Sequence, residues 1–184
     1  MTLRNLLILC AASAALAGCL GDNNSAASEG VLLDAAVDGV SYSGNLGSAG
    51  VTARGGKYSY HAGEVITFKV GNLELGRAVG AGTLTPADFV GADGLVNDHA
   101  KRVLRVLQTL DSDDDPDNGI SITPAMRGAI TQVVDLASAN DAAILNAVRQ
   151  ARPTVAALVT EDHALRHFAQ TLVDHDITLA PPAA

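Results

Sequence analysis

The chain has no tryptophan and only three phenylalanines and three tyrosines among 184 residues. Functions that stack rings on sugars or bases depend on such faces, so the scarcity argues against them. The core must be built from leucine, valine, isoleucine and alanine. Basic residues are also few, with 12 Lys and Arg against 20 Asp and Glu. That balance repels nucleic acid and anionic headgroups. Cysteine occurs only at Cys10 and Cys19. No G-x-S-x-G elbow is present, and nothing else approaches a nucleophile–base signature. The apolar stretch from Leu6 to Ala15 is too short for the roughly 20 residues that span a bilayer.

What that stretch does form is a signal. Met1-Thr2-Leu3-Arg4-Asn5 is a short n-region with one positive charge, followed by the apolar h-region and then small residues. It runs into Leu16-Ala17-Gly18-Cys19, which resembles the lipobox of bacterial lipoproteins. The resemblance implies residues 1–18 as a lipoprotein signal peptide, thioether diacylation of Cys19, and acylation of the new amino terminus. One acyl chain anchors marginally and two or more anchor stably, at about 0.8 kcal/mol per buried CH₂. Cys10 would leave with the signal, so no internal disulfide can form. Lipidation of Cys19 likewise removes any Cys–His pair. Leu20 follows the anchor. In lipoproteins of enterobacterial type an aspartate there implies inner-membrane retention, so its absence implies the outer membrane, with the chain periplasmic or surface-exposed.

The rest of the chain suggests an α+β protein, a small antiparallel β-sandwich followed by a compact α-helical domain. Residues 19–30 read as a flexible tether, polar and small. Residues 31–80 carry the β rhythm, with glycine punctuation. Glu64 to Val70 alternates, placing Ile66, Phe68 and Val70 on one face, and Gly71-Asn72 turns the chain into Leu73-Glu74-Leu75. Gly55-Gly56 is a two-residue hairpin signal between Val51–Arg54 and Lys57–Tyr60. Residues 81–176 change to the helical period. Thr85-Pro86 opens a short helix that Gly91 ends, and Asp98 to Leu110 carries one apolar stripe. Thr123-Pro124 opens a second long helix through Ala137; Asn140 and Thr160 cap a third and a fourth. Residues 177–184 read as a disordered tail.

The motif order resembles an uncharacterised family of bacterial lipoproteins and surface proteins. Its carriers are Gly39-Val40-Ser41-Tyr42, Gly63-Glu64-Val65-Ile66-Thr67-Phe68, Leu75-Gly76, Thr85-Pro86-Ala87-Asp88-Phe89-Val90-Gly91, Leu107-Gln108-Thr109-Leu110-Asp111 and Ala164-Leu165-Arg166-His167-Phe168. The chain departs from the family at Arg102, where asparagine is usual, and at Asp114, where glycine is. The β half also resembles the carboxypeptidase-regulatory, transthyretin-like sandwich. The resemblance implies an envelope location and an architecture, and no reaction.

Asp111, Asp113, Asp115 and Asp117 fall at positions 1, 3, 5 and 7 of an EF-hand-like loop, and Asn118 follows. Pro116 replaces the turning glycine and Ile122 the bidentate glutamate, which excludes a true EF-hand. A looser Ca²⁺ loop formed by these five residues and a solvated acidic turn both remain open. Convergence of the carboxylates would mark the first; splay, with Asn118-Gly119 as a left-handed bend, the second. His163 and His167 stand at i and i+4, with no glutamate after the first as in metalloproteases. His167 beside Leu165 and Phe168 reads as a core or boundary histidine. Gly50 to Lys57 imitates a phosphate loop, but Gly56 occupies the lysine position and strands bound it.

The expected function is a lipid-anchored, non-catalytic binding or structural module of the cell envelope, with an envelope protein or surface polymer as partner. One alternative is an accessory lipoprotein that binds or takes up hydrophobic compounds through an apolar cavity of about 300–1,000 Å³. Another is a metal-dependent hydrolase, in which His163 and His167 would meet a third ligand.

Overall fold

The computed structural model describes residues 26–89, 95 and 97–179. The expected lipobox with Cys19, the expected stop at Gly91 and residues 180–184 lie outside them. Among the described residues the fold is mixed α and β: nine short strands in three sheets, and four helices.

Strands β3 (Ser41–Gly44), β4 (Ala49–Val51), β6 (Val65–Val70) and β7 (Leu73–Val79) form an antiparallel sheet in the order β4-β3-β6-β7. The alternation in β6 works as the sequence suggests, with Ile66, Phe68 and Val70 fully buried. Gly71-Asn72 makes the expected tight turn, because Val70 pairs directly with Leu73. A register shift between Phe68 and Lys69 sits opposite Gly76. A side chain at Gly76 would collide with the Phe89 ring system, whose phenyl stacks on Phe68 with centroids 5.4 Å apart.

A second sheet runs β5-β1-β8, from β5 (Lys57–Tyr60), β1 (Ser28–Leu32) and β8 (Thr83–Leu84). It corrects three expectations. The tether does not extend to Gly30, because β1 begins at Ser28 and pairs antiparallel with β5 from Ser28↔Tyr60 to Val31↔Lys57. The β1–β8 pairing is parallel, not antiparallel. The Gly55-Gly56 turn has the positive φ its residues favour, 90° and 78°, with Arg54 at 56°. It does not close a regular hairpin, however, since β4 and β5 belong to different sheets and only Ala53↔Lys57 bridges the turn. Residue 52 is drawn to another partner: the Val40 amide donates to Thr52 Oγ1 at 3.0 Å and the Gly39 amide to Thr52 O at 2.7 Å. Asp38 Oδ1 then accepts from the amides of Gly55 and Gly56.

The third sheet is a parallel pair, β2 (Val37–Asp38) with β9 (Ile120–Ser121). It joins the first third of the chain to the segment after the acidic loop. One apolar cluster accordingly runs from Leu32, Phe68 and Leu75 through Val103 and Leu107 to Ile144 and Val148. This cluster draws residues from both sides of the expected division between residues 80 and 81.

Helix α1 (Asp98–Leu110) has the predicted bounds, with Asn97 capping the His99 amide. Ala100, Val103, Leu104, Leu107 and Leu110 are fully buried, but so are Val106, Gln108 and Thr109 nearly so, which one stripe does not foretell. Thr85-Pro86 opens only a 3-10 turn over residues 86–89, in which Asp88 accepts from both the amide and the hydroxyl of Thr85. The second long helix is also absent. Helix α2 (Pro124–Ala129) stops after six residues, and Val133 is exposed. Competing partners hold the backbone beyond it. Ile130 O accepts from the Asn72 amide, and Gln150 Oε1 accepts from the amides of Thr131 and Gln132. Arg102 donates to the carbonyls of Leu136 and Ala137. Helices α3 (Asp141–Ala151) and α4 (Glu161–Asp174) start at the expected caps, Asn140 and Thr160. Leu179, expected in the disordered tail, packs on the cluster of Leu104, Ala164 and Phe168.

Candidate functional site

The acidic loop begins where α1 ends. Asp111 has no exposed surface, and its two oxygens accept from different backbone amides, Ser121 at 2.9 Å and Asp115 at 3.0 Å. Burial pushes its carboxyl up, against the lowering effect of the Ser121 amide. Asp113 also accepts from the Asp115 amide and from Asn118 Nδ2, and Asn118 is the first cause holding its carboxyl down. Asp114 turns the other way and forms a two-point pair with Arg152 at 2.7 and 2.8 Å, which lowers it. Asp117 points to α4. Asp115 is exposed, and its contribution is through its amide. Left-handed backbone falls on Asp114 (φ 63°) and Gly119 (φ 109°), not on Asn118.

The loop thus brings Asp111 and Asp113 together around the Asp115 amide, with Asn118 donating to Asp113, and sends Asp114 and Asp117 to separate partners. Among the described residues, no group of three or more His, Cys, Asp or Glu side chains gathers as ligands for one ion. His163 is exposed on α4, while the His167 ring is inserted with 7% of its side chain accessible.

His167 leads to a site that the motifs do not announce. Its Nδ1 lies 3.1 Å from Asp117 Oδ1. An ionised carboxylate only accepts, so the ring proton belongs on Nδ1. Nε2 faces inward, 3.9 Å from Asp34 Oδ1, and has no hydrogen-bond partner among the described residues. Asp34 is wholly buried, and its carboxyl is raised well above the ordinary range by desolvation, against one lowering contact from Gln108. Gln108 Nε2 lies 3.2 Å from both Asp34 oxygens and from Ala164 O. The next residue, Ala35, donates its amide to Thr171 Oγ1 at 3.0 Å. Outside this chain of contacts lies an open cavity of about 330 Å³, lined by Asp117, His167, Gln170, Thr171, Asp174 and His175 among others. A cavity beside Val133, Val134 and Leu136 measures about 270 Å³.

A second buried acid, Glu64, organises the β side. It accepts from the amides of Leu46, Ser48 and His61 and from the Ser48 hydroxyl, at 2.6–3.0 Å. Burial alone would raise it, but these donors, Ser48 foremost, together lower it to about 2. A side chain at Gly44 would strike the Glu64 carboxylate, so the close approach requires glycine there. In the sequence Glu64 and Gln108 stand out only as motif letters, and Asp34 not at all. The available signals were an acid inside Val31-Leu32-Leu33-Asp34 and an amide beside the apolar Leu107.

Compared with known proteins, the chain matches no family model, no curated protein and no solved structure. Among the described residues, no helix is long and apolar enough to cross a membrane.

Proposed function

We propose that the chain is a lipid-anchored, non-catalytic module of the bacterial cell envelope, held at the outer membrane through Cys19 and presenting its folded part to an envelope protein or surface polymer. The observation that carries the non-catalytic part is how the reactive-type side chains are employed. Glu64 and Asp111 accept backbone amides, Asp114 takes Arg152, and Arg105 takes Asp141 and the Val159 carbonyl. Each tie holds one segment to another and leaves the group no freedom to transfer a proton or attack a substrate. On this reading the acidic loop is a self-satisfied turn that needs no ion. The two larger sheets form the faces of a small sandwich, a reading supported by Tyr58 of one sheet meeting Phe68 of the other edge-on at 5.3 Å.

The anchor rests on Leu16-Ala17-Gly18-Cys19. Radiolabelled palmitate should enter the wild-type chain and be lost in Cys19→Ala. Equal labelling of both removes the anchor from the proposal. Co-purification of the lipidated chain with one envelope partner supports the binding role, whereas a stoichiometric bound lipid or alkane with no partner overturns it.

A further inference from the structure

The first strand begins at one end of the two larger sheets. Ser28 opens β1 opposite Tyr60, the last residue of β5. Residues 61–64 then lead into β6, and a side chain at Gly80, just after β7, would strike the Tyr60 ring. The Asn45 amide donates to the Val65 carbonyl at 3.2 Å, which brings the turn after β3 to the same end. Glu64 ties these segments together. Its carboxylate accepts from the amides of Leu46, Ser48 and His61, and its own carbonyl accepts from the Gly80 amide.

Two large aliphatic side chains stand out from this end. Leu46 is 57% exposed and Val79 58%. Leu46 occupies a turn beside Gly47 (φ 110°), where glycine or a short polar residue is the usual choice. Val79 pairs directly with the half-buried Val65, so the apolar surface crosses two strands. A lone exposed aliphatic is ordinary; here two share an end that a buried carboxylate holds in shape. The only acids on residues 28–29, 45–48, 60–65 and 79–80 are Glu29 and Glu64. Glu29 pairs with Lys57 at 2.8 Å, and the Glu64 carboxylate is spent on the amides. Arg77, two positions before Val79 and on the same face of β7, has no ion pair among the described residues. The acidic loop lies past the opposite end of β1, where the Ile120 amide donates to the Ala36 carbonyl. The charge that repels headgroups is thus held away from Leu46 and Val79.

The length of chain before β1 decides what meets this end. Ser28 stands nine positions after Cys19, at most about 30 Å along a fully extended chain. Two aliphatic side chains would not hold a free protein on a bilayer. A short link to an anchor makes the encounter intramolecular and raises its effective concentration. We propose that this end, through Leu46 and Val79, rests on the surface of the membrane that carries the anchor, with Arg77 at the level of the headgroup phosphates. The inference rests on lipidation of Cys19 as proposed above. It turns the acidic loop away from the bilayer and leaves that side of the molecule to a partner.

Because the chain lacks tryptophan, a single introduced indole reports its own position. The variants are Leu46→Trp and Val79→Trp, with Val133→Trp and Val173→Trp as controls at exposed valines elsewhere. Each full-length chain, extracted in detergent, is reconstituted into vesicles of phosphatidylethanolamine and phosphatidylglycerol that include phosphatidylcholine brominated on the upper acyl chain. A side chain docked at the interface sits about 5–10 Å into the headgroup and acyl boundary, so emission from Leu46→Trp and Val79→Trp should fall by about half or more. The two controls should emit as they do without bromine. Flotation with the vesicles reports the anchor separately. A chain that floats while Leu46→Trp and Val79→Trp stay unquenched, or in which all four are quenched alike, overturns the docking and leaves the anchor standing. A blue shift at Leu46→Trp or Val79→Trp without bromine quenching also overturns it, and gives this end to a second copy or a partner protein. A chain that does not float removes the anchor, and the docking with it.

Discussion

Glu64 and Asp34 are both wholly buried acids, yet their carboxyls move in opposite directions, one down to about 2 and the other well up. The difference lies in the supply of donors. Glu64 lies where the chain doubles back through Leu46, Ser48 and His61, three amides and a hydroxyl pointing at one carboxylate. Asp34 lies under a helix whose own amides are already spent, and among the described residues it receives only the side chain of Gln108. Burial therefore sets the stakes, and the local backbone decides the charge. A loop can solvate an acid with its free amides; a helix flank cannot.

This contrast can be broken by substitution. Glu64→Ala should have the largest effect, about 3 kcal/mol or more in urea unfolding, because it strands several buried donors at once. A loss below about 1 kcal/mol would show that water replaces the carboxylate there. The isosteric pair is sharper. Glu64→Gln removes a charge that its donors favour, at a cost of about 2 kcal/mol, while Asp34→Asn should stay within about 1 kcal/mol at neutral pH. The acid limb gives an independent check. Because Glu64 is lowered from 4.5, its contribution is present above that value and is lost as pH falls towards 2. Glu64→Gln should flatten the stability curve in that window, and an unchanged acid limb would remove Glu64 from the account.

Smaller effects are expected at the acidic loop. Asp114→Gly relieves the left-handed backbone but gives up the exposed pair with Arg152, so the two changes should nearly cancel, to within about 1 kcal/mol. The smallest effect is expected from chelation. With the carboxylates of Asp111, Asp113, Asp114 and Asp117 each taking a partner within the chain, the protein should melt at the same temperature with and without chelator. A rise in melting temperature with added calcium, abolished by Asp111→Ala with Asp115→Ala, would decide for the ion-binding reading of the loop.

The regular elements were legible because local rules governed them. The alternation of β6, the Gly71-Asn72 turn, and the caps at Asn140 and Thr160 depend on residues a few positions apart. Helix α2 is shorter than its pattern suggests because Ile130, Val133 and Val134 keep a helical spacing although the backbone of Ile130, Thr131 and Gln132 is claimed by Asn72 and Gln150. Gly55-Gly56 forms the expected turn but not the expected hairpin, since turn chemistry does not say which strand a neighbour will join. The Asp34 site was illegible for a related reason. Its members come from the β1–β2 turn, α1, the acidic loop and α4, and no spacing within the sequence relates them.

The parallel pairing of Val37 with Ile120 and of Asp38 with Ser121 has a consequence for how the chain acquires its shape. A strand formed near the start cannot find its neighbour until the acidic loop and the whole of α1 have been delivered. Local hairpins such as β6–β7 can close early, but the entropy of a long loop must be spent before β2 gains a partner. A chain threaded through a membrane from its amino terminus would thus emerge with its first strands waiting. Until residue 121 arrives, β2 remains an open edge, the kind of surface that invites pairing with a stranger.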